Sequence, residues 1–167
     1  MNIRKAVPDD ALGIAKAHVD SWRSAYRGLV PDDRLAGMDC SRRAGRFRES
    51  ITQEEELIYV AEDAIGIAGF LALGPCRDPG IDSTATAEVY ALYLAPEHWR
   101  KGMGRMMSRE AERILEDQGY SRVVLWVFEG NTRGRLFYEA MGFVGDGATK
   151  TMDVGVPMRC IRYGKDL

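Results

Sequence analysis

The sequence predicts a single α+β domain spanning residues 1–167, built on a mixed sheet with flanking helices. Three observations carry this reading. Two apolar runs, 57–61 and 67–73, are joined by Glu62-Asp63-Ala64-Ile65-Gly66 and read as an antiparallel hairpin. A further run at 87–94 is separated by a helical stretch from the run at 122–128. Such a strand-helix-strand connection requires parallel strands and a right-handed crossover. No internal repeat, low-complexity tract or linker divides the chain, so one layered domain is the economical arrangement.

Size and charge bound what this domain can do. A chain of roughly 150 residues buries about 70% of its unfolded surface. With 46% hydrophobic residues, these 167 can therefore form a full core without disulfides or a structural metal. The 23 Lys and Arg against 25 Asp and Glu leave a net charge of −2, which argues against general binding to nucleic acid or a membrane surface. Any anionic ligand must be held locally. Cys40, Cys76 and Cys160 are odd in number and far apart, as in a reducing compartment. With His18 and His98 as the two histidines, no metal site is expected. The start of the chain lacks an apolar leader, and no stretch approaches ~18 apolar residues, so the predicted location is cytoplasmic.

In order, residues 2–6 form a short strand. Pro8-Asp9-Asp10 starts a helix whose apolar face is Leu12, Ala15, Val19, Trp22 and Tyr26, and Gly28 ends it. His18 and Asp20 are assigned to its surface. Pro31-Asp32-Asp33 opens a short second helix. A third starts near Ser41, with Ala44, Phe47 and Ile51 on one side and Arg42, Arg43, Arg46 and Arg48 as a solvated face, the alternative being an anion patch. After the hairpin, residues 74–83 are dense in turn formers and make a loop that could shape a substrate mouth. Met107, Ala111, Ile114 and Leu115 mark the crossover helix, stopped by Gly119. A last helix covers 131–141, and residues 143–144 and 156–163 supply two closing strands across a Gly-rich turn.

Between the strand at 87–94 and the crossover helix lies Trp99-Arg100-Lys101-Gly102-Met103-Gly104-Arg105. The first N–H groups of a helix have no internal partner, and the helix dipole adds partial positive charge there, so an anion is favoured. Gly102 and Gly104 remove side chains that would keep a phosphate from the backbone, and Arg100, Lys101 and Arg105 add charge. The turn suits a pyrophosphate. It lacks the third glycine of a dinucleotide fingerprint, and no G-x-x-x-x-G-K-[ST] occurs, which disfavours NAD and ATP. Taken alone, it also reads as a plain glycine turn beside a basic helix.

The run Ala87-Glu88-Val89-Tyr90-Ala91-Leu92-Tyr93-Leu94-Ala95-Pro96-Glu97, this turn, and Asn131-Thr132-Arg133-Gly134-Arg135-Leu136-Phe137-Tyr138-Glu139-Ala140-Met141-Gly142-Phe143 together resemble the GNAT superfamily of N-acetyltransferases. The strong likeness spans residues 87–143. It implies a mostly antiparallel mixed sheet with a central splayed parallel pair, and acetyl-CoA as cosubstrate with its pantetheine arm in the gap. Leu92, Tyr93 and Leu94 would offer backbone groups to it. The residues Arg100, Lys101, Gly102, Met103, Gly104 and Arg105 would hold the phosphates, Asn131 would bond the pantetheine, and Tyr138 would sit by the thioester sulfur. Trp99 departs from the [Q/R] that often opens the family's turn. Members often dimerise, so a homodimer is allowed, and the acceptor is an amine of a small molecule or peptide.

Acetylating an amine needs a neutral amine, a polarised carbonyl and a proton for the thiolate. Glu88, Tyr90, Leu92 and Leu94 are expected on one face of their strand, with Glu88 about 13 Å from Leu92. Glu88 is either a base acting through water or the structural partner of an Arg. The Leu94 N–H is the candidate donor to the carbonyl. Tyr138 is either the proton donor or a core aromatic, and Asn131 can also serve as a helix N-cap. Trp22 and Tyr26 either pack in the core or wall the acceptor pocket; the segment 22–31 is similar to one that does so in bacterial members. Glu88 and Tyr90 complete the expected acceptor contacts. A noncatalytic acyl-CoA-binding or regulatory domain is the rival reading.

Overall fold

The computed structural model describes residues 2–167. A seven-stranded sheet runs in the order β1-β2-β3-β4-β5-β7-β6, formed by β1 (Asn2–Lys5), β2 (Leu57–Glu62), β3 (Ile67–Pro75), β4 (Thr86–Leu94), β5 (Arg122–Phe128), β6 (Val144–Asp153) and β7 (Pro157–Asp166). Every neighbouring pair is antiparallel except β4 and β5. Helices α1 (Ala11–Ala25), α2 (Asp32–Ala36) and α3 (Cys40–Gln53) precede the hairpin, α4 (Met103–Asp117) makes the crossover, and α5 (Thr132–Ala140) joins β5 to β6. One layer of core buries Met103, Met107, Ala111 and Leu115 of α4 against Leu71, Leu73, Val123 and Leu125. A second, around Ile14 and Phe70, lies towards α1 and α3.

The early helices differ in detail from the expectation. Leu12 is 60% exposed, because the buried stripe of α1 runs through Ala11, Ile14, Ala15, His18 and Val19 and leaves Leu12 beyond its edge. His18 is likewise not at the surface. Its ring lies among Trp22, Phe47, Phe70 and Tyr93, and burial holds its pKa down to about 3. Arg43 also turns inward, to within 3.4 Å of His18 Nδ1, and departs from the solvated face assigned to the α3 arginines.

Beyond Gly142 the strands are longer than expected. β6 continues from Val144 to Asp153 through Gly145 and Gly147, and its register against β7 shifts between Gly145 and Thr149. Glycines and an edge position with almost no buried residue erase the apolar alternation that marks a strand.

The feature that positions the site is an irregularity in β4. Its pairing with β3 steps from Ala72↔Ala91 to Leu73↔Val89, so Tyr90 is an extra residue without a partner. Such a bulge bends and twists its strand. The parallel ladder with β5 covers Thr86↔Arg122 to Val89↔Leu125 and stops there, one residue before the bulge. β4 and β5 part beyond that point. Two close approaches hold the bent strand. A methyl on Gly69 would lie 2.5 Å from the Tyr93 carbonyl oxygen, and one on Gly74 would lie 2.7 Å from the Tyr90 hydroxyl, which donates to Pro75 O at 2.6 Å.

Gly69→Ala therefore forces β3 away from β4 and is expected to cost about 1–3 kcal/mol in urea unfolding, as overpacking does. His18 gives a second expectation. Its folded pKa lies below the unfolded 6.5, so the unfolded state binds more protons between the two, and stability falls as pH drops from 6.5 towards about 3. The stability of His18→Phe should gain on the native protein when unfolding is repeated at pH 5 rather than pH 7.5.

Candidate active site

The parting of β4 and β5 opens a cleft of about 690 Å³, within the range of ligand pockets. Main-chain direction in β4 follows from its neighbours. Ala95 N–H donates to Ala68 O, so Ala95, and Tyr93 two residues before it, turn towards β3. Leu92 and Leu94 therefore turn their main-chain groups into the gap. The Leu94 carbonyl accepts the Trp99 indole N–H at 2.9 Å. Of the three residues expected to offer backbone groups, Leu92 and Leu94 are in position, whereas Tyr93 meets the cleft with its side chain.

The bulge also corrects the face assignment. Val89 and Leu92, three residues apart, both pack towards α4, while Tyr90, Ala91 and Tyr93 pack with the core near α1. An extra residue shifts the alternation by one, so Glu88 does not share a face with Leu92 and Leu94 as a regular strand would require. Glu88 still lines the cleft. It is 7% exposed and its carboxylate accepts the Arg77 N–H at 3.0 Å, while burial pushes its pKa up. Among the described residues, no Arg side chain forms an ion pair with Glu88, whose hydrogen-bond partner is a main-chain N–H.

At the other end, Arg100 and Gly102 both have left-handed backbone, φ 60° and 83°, and Gly102 caps α4. Arg100, Gly102, Gly104 and Arg105 line the cleft. Lys101 is exposed outside the lining, and the Met103 side chain is 1% exposed in the core, leaving only its main chain for a ligand. A methyl on Gly104 would stand 3.2 Å from the Phe137 ring, so this glycine also sets the distance between α4 and α5. Trp99 anchors the turn through its bond to Leu94 O and carries the Arg133 guanidinium 4.6 Å from its ring centre. Arg133 lines the cleft too. Among the described residues, no ion pair engages Arg100, Arg105 or Arg133. This cationic end, with free helix N–H groups, fits a pyrophosphate.

Asn131 performs the capping role: its Oδ1 accepts the Gly134 N–H at 3.0 Å, which leaves the amide nitrogen for the cleft. Tyr138 faces the same space from α5, and burial raises its pKa. Trp22, Tyr26 and Tyr90 line the end of the cleft on the α1 side of the sheet, outside the core layer packed on α4, with Trp22 and Tyr26 edge to face at 4.7 Å. Sequence reasoning missed Arg77, Asp78, Trp126, Lys150 and Cys160, which complete this end. Lys150 and Cys160 come from the β6-β7 pair, whose first strand runs to Asp153, nine residues beyond the 143–144 that its apolar pattern marks. Asp78 lies in the loop flagged as a possible mouth. Burial of the Cys160 thiol raises its pKa, which disfavours the thiolate.

The profile of the acetyltransferase (GNAT) family matches residues 20–143. YuaI of Bacillus subtilis (strain 168), an uncharacterized N-acetyltransferase, is 33% identical over 143 residues, 84% of this chain and 78% of its own. A spermidine N(1)-acetyltransferase of Thermoplasma acidophilum is 25% identical over 150 residues, covering 86% of this chain and 88% of its own. The crystal structure of the PaiA N-acetyltransferase of Thermoplasma acidophilum with coenzyme A gives a TM-score of 0.76 at 23% identity, covering 99% of this chain and 98% of that one. For yncA of Salmonella typhimurium, solved with acetyl-CoA, the values are 0.73, 20%, 100% and 94%. These structural likenesses establish the shared fold.

The turn yields a direct test. Gly102→Ala places a side chain at φ 83°, a conformation costing about 1 kcal/mol for a residue with a Cβ. Because the variant shifts the first turn of α4, calorimetric titration should show CoA bound about tenfold more weakly, with a loss of about 1 kcal/mol in unfolding stability.

Proposed function

The chain belongs to the acetyltransferase (GNAT) family and is an acetyl-CoA-dependent N-acetyltransferase; from that premise we propose that it moves acetyl directly to a primary amine of a small molecule or protein, without a covalent enzyme intermediate. The observation that carries the reading is the gap beyond Val89, with main chain of Leu92 and Leu94 open to it, ending at a turn rich in unpaired cations. Acetyl-CoA supplies an activated acyl thioester. Arg100, Arg105, Arg133 and the N-terminal N–H groups of α4 hold the phosphates, and Asn131 bonds the pantetheine arm through the amide nitrogen left free by its cap.

The Leu94 N–H polarises the acyl carbonyl, a task that needs a donor already fixed in place. Glu88 takes the ammonium proton, directly or through water. Its raised pKa makes it a stronger base than an ordinary carboxylate, and the Arg77 N–H fixes its orientation. Tyr138 remains a phenol at neutral pH because burial lifts its pKa. A phenol above pKa 10 is a weaker acid than a thiol near 8.5, so its contribution is a hydrogen bond to the departing sulfur. Trp22, Tyr26 and Tyr90 bound the acceptor space.

Thermal unfolding with acetyl-CoA, CoA and NAD tests the cleft. Ligand at 100 times Kd adds ~2.7 kcal/mol, roughly 5–11 °C for this size, and the CoA species alone should produce it. No shift at millimolar acetyl-CoA would overturn the reading. Tyr138→Phe should lower kcat by about tenfold or more and leave acetyl-CoA affinity nearly unchanged. Activity should fall as pH drops through the raised pKa of Glu88. Glu88→Gln keeps an acceptor for the Arg77 N–H, so loss of that acid limb with unchanged stability identifies the base.

A further inference from the structure

The acceptor end of the cleft differs from the rest in how its charges are used. Its carboxylates are buried, and their oxygens are largely occupied by protein donors. Asp78 accepts the Trp126 indole N–H at 3.1 Å and Arg162 Nη1 at 2.8 Å, and its side chain is 12% exposed. Glu88 holds the Arg77 N–H. The cations are the accessible charges. Lys150 Nζ stands 4.1 Å from the Trp126 ring centre and 3.9 Å from Asp78 Oδ1, too far for a hydrogen bond, so its N–H donors are unspent. The Arg77 guanidinium lies 3.5 Å from the Tyr90 ring centre and gives one nitrogen to Glu56. The Trp22 indole N–H is buried on the wall of the cleft, beside the Tyr93 side chain.

Resting on the acetyl-transfer reading, we propose that the acceptor is a small molecule carrying a carboxylate beside its amine, with the carboxylate held by Lys150 and Arg77 while the amine faces Glu88. Unspent N–H donors and accessible cations match carboxylate oxygens in both charge and hydrogen-bonding sense. A polyamine would set additional ammonium groups against Lys150 and Arg77, with Asp78 held by Trp126 and Arg162 and Glu88 taken by the reacting amine. Residues of α1, the loop after β3 and β6 line this end of a cleft of about 690 Å³, room for a small acceptor.

The experiment compares kcat/KM for free amino acids, the same compounds as methyl esters or amides, and aliphatic diamines. Esterification lowers the pKa of the neighbouring amine and would by itself favour transfer, so a loss on esterification reports the carboxylate. The free acids should lead by about fivefold or more, a difference that Lys150→Met abolishes by raising KM with kcat nearly unchanged. Lys150→Glu should turn the preference towards diamines, and neither variant should alter acetyl-CoA affinity, because Lys150 lies on β6, away from the α4 turn; any loss of melting temperature from its contacts with Trp126 and Asp78 is read separately and does not change the ratio of acid to amide. Equal use of acid and amide, or a native preference for diamines, overturns the proposal. If no amine of any class is acetylated, the transfer reading falls, and calorimetry with N-acetyl amino acids decides this inference separately. Binding weakened by Lys150→Met upholds it, and absence of binding overturns it.

Discussion

One surplus residue in β4 is the constraint on which the site depends. With Tyr90 inserted, β4 bends away from β5 at the point where a parallel ladder would otherwise continue. Opening a sheet at its centre strands main-chain donors and acceptors, which is costly unless they find other partners. Part of that cost is offset within the protein. Trp99 covers the Leu94 carbonyl, Tyr90 ties the bulge to Pro75, and two glycines let β3 follow the bent strand at close range. What remains open, the gap-facing main chain of Leu92 and Leu94, is the part a ligand can complete.

The charge distribution follows from the same opening. A net charge of −2 describes the whole molecule, yet the cleft is cationic at the α4 turn and, at its other end, sets exposed Arg77 and Lys150 against the largely buried Asp78 and Glu88. At the α4 turn the positive groups accompany helix N–H groups and have no ion-pair partner among the described residues. At the acceptor end the carboxylates are sequestered by Trp126, Arg162 and the Arg77 main chain, which leaves Lys150 and Arg77 as the accessible charge. Net charge excludes broad polyanion binding but carries no information about such local separation.

Much of the fold was legible because the decisive signals were local. The crossover helix, β5 and the hairpin announce themselves by apolar periodicity, and the phosphate-sized turn by two glycines among cations. The missed features are those where periodicity is absent or interrupted. β6 is glycine-rich and exposed, so Lys150 could not be placed. His18 is buried only because four aromatic rings from three other segments and its own helix converge on it. The bulge at Tyr90 left no mark in composition, and it reversed the face predicted for Leu92 and Leu94 relative to Glu88. The departure at Trp99 becomes intelligible through its contact with Leu94 O, which no reading of the turn alone contains.

In the mechanism proposed for this cleft, burial assigns Glu88 and Tyr138 to opposite tasks by one physical effect. Removing an ionisable acid from water disfavours its charged form, so the pKa of Glu88 and that of Tyr138 both rise. For the carboxylate, the rise moves its proton affinity towards that needed to accept from an ammonium at neutral pH. For the phenol, the rise moves ionisation further out of reach and preserves a hydrogen-bond donor. Neither shift is led by a neighbouring charge; desolvation is the largest cause for both. A cleft that is closed enough to desolvate both groups therefore sets base and donor together, and a change that let water into the gap would return each towards its ordinary value.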